Sequence, residues 1–254
     1  MDTGPGTVAW LCAAALAAGW VDAVAGGGGL ITVPALLAAG LPPHLALGTN
    51  KGQSVFGSFA ALLRFGRSGL IDRRRAAVAF PLGFVGSLLG AWAVLWIRPE
   101  ALRPLVLILL PAAAAVVLLR PRPAEAPPSG PAGRGLVAVA AIAGVVGAYD
   151  GFFGPGTGTF LILAFVGILG MPATRASAEA KVVNFASNLA AAALFAWSGT
   201  VVWRLALPMA AAQFAGGILG AHLAVRRGDR LVRGVLAVVV LALVAKLAAD
   251  ALSG

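Results

Sequence analysis

Two lysines interrupt stretches that are otherwise apolar. Lys51 lies about six residues into the run that follows Pro42-Pro43, and Lys181 holds the matching place after Pro172. An ammonium at membrane depth costs roughly 2.5–3.5 kcal/mol on insertion scales, so it is a functional candidate by default. Snorkelling to an interface would account for one such lysine, but not for its repetition. Two cations approaching the midplane from opposite sides would suit an anionic substrate. Polar side chains surround each: Thr49, Asn50, Gln53 and Ser54 beside the first, Glu179, Asn184, Ser187 and Asn188 beside the second. Lys51 and Ser54, like Lys181 and Asn184, are three residues apart and share a helix face. They could bind an oxyanion directly or serve as interhelical hydrogen bonds, usually worth about 0.6 kcal/mol.

Glycine clusters precede both lysines. Gly26-Gly27-Gly28-Gly29 and Gly154-Pro155-Gly156-Thr157-Gly158 each stand before an expected helix start. Free backbone N–H groups at a helix N-terminus favour an anion, and glycine permits close approach. Tight packing at a turn is the plain alternative. No strand–loop–helix unit precedes either cluster, so a nucleotide loop is not indicated. Asp22 and Asp150, each four residues before its cluster's first matching glycine, and Glu179 are the acids at membrane depth. They could pair with the lysines, cap helices, or carry the protons that couple transport to a gradient. His44 and His222 have no partner at metal-ligand spacing, so no metal is expected. No serine elbow or histidine dyad appears, no cofactor is implied, and the chain does not read as an enzyme.

These residues fall in an internal repeat. Asp22 matches Asp150 and Gly26 matches Gly154 at an offset of 128 (150 − 22); Lys51 matches Lys181, Gly86 matches Gly216 and Gly90 matches Gly220 at 130 (181 − 51). A repeat of this size determines the fold, and paired Gly/Pro-interrupted segments in two halves point to a transport site. The division is 1–119 for the first transmembrane repeat, 120–134 for a Pro/Gly-rich linker, and 135–254 for the second repeat.

The composition requires a bilayer. The chain has 254 residues, 60% hydrophobic and 11% charged, against about 25% charged in soluble domains. Apolar runs recur along its whole length, and in hydrocarbon such runs must be helical. The net charge of +10 comes from arginines in short loops, which indicates membrane orientation and no nucleic-acid partner. Cys12 is alone and inside an apolar run, so it reads as filler. The first segment lacks a basic leader region and is expected to be retained.

Spans are expected near Thr7–Ala25, Leu45–Phe65, Ala76–Ile97, Leu105–Leu119, Gly135–Phe153, Ala176–Trp197, Val202–Val225 and Leu231–Ala249. Two short segments, Leu30–Gly40 and Thr159–Gly170, fall between them. The expectation is an all-α polytopic membrane protein of two homologous, inverted repeats, with about eight full spans and two short Gly/Pro-broken segments. If the short segments cross, each half has five crossings and the second is inverted; the arginines then divide 13 cytoplasmic to 3 outside. If they dip and return, the division is 9 to 7. Positive-inside bias favours inversion. A dozen residues at 1.5 Å each cannot cover a ~30 Å core, so the short segments must be sunk within the protein or extended at their glycines. The faces Gly83-x-x-Gly86-x-x-x-Gly90 and Gln213-x-x-Gly216-Gly217-x-x-Gly220 suit close helix contact, within the chain or in a homodimer.

The sequence resembles the sulfite exporter TauE/SafE family, a group of small bacterial membrane transporters. The likeness rests on Gly-Gly-Gly-Gly-Leu-x-x-x-Pro at 26–34, on Gly48-Thr49-Asn50-Lys51, and on Gly154-x-Gly156-x-Gly158 with Lys181 and Asn184. It covers nearly the whole chain. The second repeat has Ala180 where the first has Asn50, so the half-sites are not strictly equivalent. The resemblance implies movement of a sulfur-containing anion, such as sulfite or an organosulfonate, across the bacterial cytoplasmic (inner) membrane. The expected substrate-binding set is Gly26, Gly27, Gly28, Thr49, Asn50, Lys51, Ser54, Gly154, Gly156, Thr157, Lys181, Asn184 and Asn188, with Asp22, Asp150 and Glu179 for coupling. An anion channel on the same residues and a non-transporting membrane scaffold are the rivals; a scaffold gains nothing from buried lysines.

Overall fold

The computed structural model describes residues 4–98, 100–102, 104–106, 108–109 and 132–253. Among these residues the chain is all helix with no strand. In the first half, α1 (Pro5–Ala25), α2 (Gly29–Ala38), α3 (Pro43–Gly66) and α4 (Arg73–Leu95) follow one another. In the second half, α5 (Ala132–Phe152), α6 (Thr157–Leu169), α7 (Ala173–Trp197) and α8 (Trp203–Ser253) repeat that order. Helix α8 is broken at Gly228 (φ 64°, ψ −153°), which separates the two spans expected there. Helix α5 begins two residues before the expected end of the linker at 134; the rest of the linker and Leu105–Leu119 beyond residue 109 lie outside the described residues.

Five stretches among the described residues are long and apolar enough to cross a membrane: Pro5–Ala25, Arg73–Leu95, Gly135–Phe152, Ala173–Trp197 and Trp203–Val235. Helix α3 is about 36 Å long at 1.5 Å per residue and matches the others in reach. It falls short in apolarity because Thr49, Asn50, Lys51, Gln53, Ser54 and Ser58 are all on it, and all are buried. Its polar face is turned to the protein interior. Meanwhile Val85, Leu89, Trp92, Trp96, Val145, Ile168, Leu207 and Leu219 are exposed, an outward apolar surface of the kind that lipid covers. The chain is a multi-pass membrane protein.

Glycine conformation sets the two breaks. Helix α1 stops because Gly26 and Gly27 take φ of +75° and +91°; α6 starts after Gly154 and Gly156 take +96° and +86°. Side chains rarely adopt this left-handed region. The breaks also touch: a Cβ on Gly26 would overlap the Gly158–Thr159 peptide. Thr159 Oγ1 donates to Ala25 O (3.1 Å), and Ser177 Oγ donates to Ala23 O and Val24 O (3.0 Å each). The last carbonyls of α1, which lack intrahelical partners, are thus satisfied by the other half.

The halves interlock through matching contacts. Gly86 packs on the Gly144 carbonyl and Gly90 on that of Ala148; their mates Gly216 and Gly220 pack on the carbonyls of Leu16 and Trp20. Both small-residue faces are therefore occupied inside the chain, α4 on α5 and α8 on α1. Helices α3 and α7 run in opposite directions. The start of α3 meets the end of α7's turn, where Thr49 Oγ1 accepts from Val202 N (3.0 Å), and the start of α7 meets the α3–α4 turn, where Glu179 Oε1 accepts from Asp72 N (3.0 Å).

Candidate functional site

The two lysines are paired across the halves. Lys51 Nζ, on α3, lies 2.6 Å from Asp150 Oδ1 at the end of α5. Lys181 Nζ, on α7, lies 2.8 Å from Asp22 Oδ2 near the end of α1. Each repeat thus supplies the cation for the other repeat's anion, next to the other repeat's glycine break. The lysine side chains are 2% and 0% exposed. Desolvating an ion is expensive, and an unpaired charge at this depth would cost several kcal/mol; pairing is what makes two buried lysines tolerable.

The pairs border a small cavity of about 20 Å³. Its walls come from both breaks and both polar helix faces: Gly27, Gly29, Gly154, Thr157 and Gly158 from the breaks, Asn50, Lys51 and Ser54 from α3, Asn184 and Asn188 from α7, with Asp22, Asp150 and Gln213. This volume holds about one water molecule.

Local bonding makes the two pairs unequal. Lys51 Nζ also donates to Asn188 Oδ1 (3.1 Å), and the second oxygen of Asp150 accepts from Ser187 Oγ. Asp22 has Lys181 on one oxygen and a long contact from Gly28 N (3.4 Å) on the other. The repeat mates of Ser187 and Asn188 are Gly57 and Ser58 (187 − 130 and 188 − 130). Gly57 has no hydroxyl, and Ser58 Oγ donates to its own helix at Ser54 O (3.0 Å). Two substitutions between the repeats thus explain why one pair is braced and the other is not.

Of the residues named from sequence, Asp22, Gly27, Asn50, Lys51, Ser54, Asp150, Gly154, Thr157, Asn184 and Asn188 line the cavity. Lys181 sits behind Asp22, Gly28 contacts Asp22 through its N–H, and Gly26 lies at the crossing of the breaks. Gly156 is the left-handed residue before α6. Thr49 and Glu179 are elsewhere: each holds a backbone N–H at the opening of a helix of the other half. Asn50 Oδ1 is a hub that accepts from Thr32 Oγ1, Gln53 Nε2 (3.3 Å) and Ser54 Oγ (3.5 Å).

Gly29 and Gly158, members of the two glycine clusters outside the expected binding set, join the lining, as does Gln213. Gln213 carries a sequence signal, a polar amide in the apolar run after Trp203, but its spacing also places it on a glycine face. Its Nε2 donates to Ser54 Oγ (3.4 Å), while its Oε1 and that of Gln53 are buried without a hydrogen-bond partner. The wall therefore offers acceptors as well as cations. Among the described residues no cluster of His, Cys, Asp or Glu could hold a metal.

Comparison with known proteins places the chain in a family. The profile described as sulfite exporter TauE/SafE matches residues 11–247. The chain is 38% identical to the probable membrane transporter protein YfcA of Escherichia coli over 93% of this chain and 87% of that one. It is 36% identical to the probable membrane transporter protein ORF9 of a Sinorhizobium species, over 96% and 93%. To a probable membrane transporter protein of Haemophilus influenzae it is also 36% identical, over 98% of each chain. No solved structure matches. A repeat-built membrane chain with crossed lysine–aspartate pairs at two glycine breaks, matched from residue 11 to residue 247, belongs to the sulfite exporter TauE/SafE family of membrane transporters.

Proposed function

We propose that the chain is a secondary transporter for a small sulfur-containing oxyanion, sulfite or an organosulfonate, working across the cytoplasmic membrane as an exporter coupled to protons. The observation that carries this reading is the pair of crossed ion pairs, Lys51–Asp150 and Lys181–Asp22. Each lysine holds an intramolecular carboxylate where a substrate anion would sit, beside the backbone of a helix start. An anion that replaces a carboxylate keeps the lysine paired, and a proton taken by the displaced carboxylate leaves no unpaired charge in the membrane. The family name supports the sulfur oxyanion. Asp22 and Asp150, displaced from their lysines, are the groups available to take protons.

We read the two halves as inverted in the membrane, with the basic turns around Arg73–Arg75 and Arg226–Arg233 inside. The opposed directions of α3 and α7 support this, as does the arginine distribution. Rocking of one half against the other about a fixed central site is the simplest way for such a fold to alternate access.

The test is flux of radiolabelled sulfite in proteoliposomes, with and without a pH gradient, for the native chain and Lys181→Ala. Flux that requires both Lys181 and the gradient is the expected result. Flux that requires Lys181 and ignores the gradient would mean a channel or uniporter. Lys181→Ala vesicles that transport like the native chain would overturn the site.

A further inference from the structure

We propose, resting on the transport reading above, that Asp22 alone is the proton-binding gate, and that its protonation hands the charge of Lys181 to the substrate. The Lys51–Asp150 pair then stays closed as the fixed half of the site.

Charge balance comes first. The charged groups at the cavity are Lys51, Asp150 and Asp22, with Lys181 bonded to Asp22. Two positive and two negative charges sum to zero. A monoanion entering this enclosed space brings an uncompensated charge into a medium that solvates it poorly. One proton taken up with each monoanion restores neutrality, so anion and proton leave the cell together down the substrate gradient, and only two carboxylates line the cavity to receive the proton.

Geometry then selects between them. Asp150 is held on both oxygens, by Lys51 and by Ser187, and its side chain is 4% exposed. Asp22 is held firmly on one oxygen only, and its side chain is 16% exposed, four times as much. A proton reaching the cavity in water therefore meets Asp22. Position gives the consequence. Lys51 already lines the cavity, whereas Lys181 is fully buried behind Asp22. Transfer of a proton from hydronium to an Asp22 carboxylate oxygen forms a neutral carboxylic acid and leaves water. Lys181 keeps its ammonium protons and loses its counter-ion, and the substrate becomes that counter-ion.

Neighbouring charges agree with a single site. Asp22 faces Lys181 of α7 and, farther off, Lys51 of α3. Helices α2 and α6 carry no titratable residue. Of the groups on α8, Arg227 and Arg230 line a surface groove with Trp20 and Val21 of α1, and His222 accepts from Arg64. Once Asp22 is neutral, none of these can replace it as the partner of Lys181.

The test uses the full chain in proteoliposomes with labelled sulfite and labelled methanesulfonate, a permanent monoanion. It compares the native chain with Asp22→Asn, Asp22→Glu and Asp150→Asn. Asp22→Asn is expected to lose accumulation driven by a pH gradient at least tenfold more than it loses exchange. Asp22→Glu should recover accumulation with a displaced pH midpoint, a readout that a structural role would not move. Asp150→Asn should lose exchange and accumulation together. Methanesulfonate accumulation by the native chain should be insensitive to membrane potential, as one proton per monoanion requires. Native-like gradient-driven accumulation in Asp22→Asn overturns the inference, as does an unchanged pH midpoint in Asp22→Glu. Native vesicles that neither exchange nor accumulate either anion overturn the transport reading itself, and the gate falls with it.

Discussion

Glu179 and Thr49 are repeat mates, 130 residues apart (179 − 49), and each accepts the backbone N–H that opens a helix of the opposite half. Glu179 Oε1 takes Asp72 N before α4, and Thr49 Oγ1 takes Val202 N before α8, both at 3.0 Å. Arg75 stands 3.8 Å from the same carboxylate oxygen of Glu179. An acid placed this way acts on the α3–α4 turn and lies away from the central cavity. Glu179→Gln retains a carbonyl acceptor for Asp72 N, so it should transport with an unchanged pH profile. Glu179→Ala leaves that N–H without its partner and should lower stability by about 1–3 kcal/mol. Thermal unfolding in detergent and a flux pH profile check the two variants; loss of pH dependence in Glu179→Gln would move Glu179 into the coupling machinery.

Asp72 makes the same turn sensitive to acid. Its carboxylate caps α4, accepting Arg74 N at 2.9 Å and Arg75 N at 3.1 Å. The Arg75 hydrogen bond is the largest of the influences that hold its pKa below the ordinary aspartate value, and the nearby Arg75 and Arg175 charges add to it. A lowered folded pKa means that the carboxylate stabilises the fold above its unfolded pKa of about 3.9, and that this contribution is lost as pH falls through the folded value. Asp72→Ala should cost about 1 kcal/mol at neutral pH, as caps usually do. Its deficit relative to the native chain should shrink below about pH 4. A deficit that stays constant from pH 7 to pH 3 would show that the charge of the cap is immaterial.

Much of the site was legible because function and repetition leave the same mark. A lysine in an apolar run is conspicuous once, and at Lys51 and Lys181 it is conspicuous twice, so the positions and the glycine breaks could be read directly. The cross-pairing could not. Asp22 and Lys51 lie closer in sequence than Lys51 and Asp150, and only the packing of α3 against the second half shows which acid each lysine meets. Glu179 shows the same limit: depth in a span is visible in sequence, but the neighbour it touches, here a turn 107 residues away, is not. Gln213 was hidden in plain view among glycines whose packing role was the stronger pattern. Helix α3 has the length of a span but not the apolarity of a lipid-facing one, because Lys51, Ser54 and Ser58 face a polar interior made by α7 and α8.

Both glycine faces are closed against carbonyls, and this predicts a sharp intolerance. A Cβ on Gly90 would overlap Ala148 O, and one on Gly220 would overlap Trp20 O. Neither neighbour is a flexible side chain, so the helices must separate. Gly90→Ala and Gly220→Ala should each lower stability by about 1–3 kcal/mol, the usual range for overpacking. Gly66→Ala, which meets nothing within 4 Å at the end of α3, should be neutral or slightly stabilising. Thermal unfolding of the three variants in one detergent decides it; equal midpoints would mean that the α4–α5 and α8–α1 contacts open readily.

The locked pair should show strong non-additivity. Removing one member leaves the other charged and buried, with a typical cost of about 3–5 kcal/mol. Lys51→Met strands Asp150, and Asp150→Leu strands Lys51 Nζ with Asn188 as its remaining partner. The double variant Lys51→Met/Asp150→Leu strands neither. It should unfold closer to the native chain than either single variant does, while carrying no substrate. Additive losses in the thermal midpoints would mean that the two charges do not depend on each other.

Two serines test whether the repeats are inverted. Ser68 follows α3 and Ser198 follows α7, and they are repeat mates (198 − 68 = 130). Ser68 Oγ donates to Phe65 O (2.7 Å) and Ser198 Oγ donates to Phe195 O (3.0 Å), each just before a glycine in left-handed conformation, Gly69 and Gly199. The turns are therefore the same local structure, made twice. In inverted repeats they must open on opposite sides of the membrane; in parallel repeats they must open on the same side. Arg67 and Arg73–Arg75 flank the first turn, so positive-inside bias places Ser68 in the cytoplasm and Ser198 outside. With Cys12 replaced by alanine, Ser68→Cys and Ser198→Cys can be probed in intact cells with a membrane-impermeant maleimide. Labelling of Ser198→Cys alone, with Ser68→Cys reacting only after the cells are opened, is the expected result. Equal labelling of both from outside would require parallel repeats, and would remove the structural basis for a site approached from opposite sides by Lys51 and Lys181.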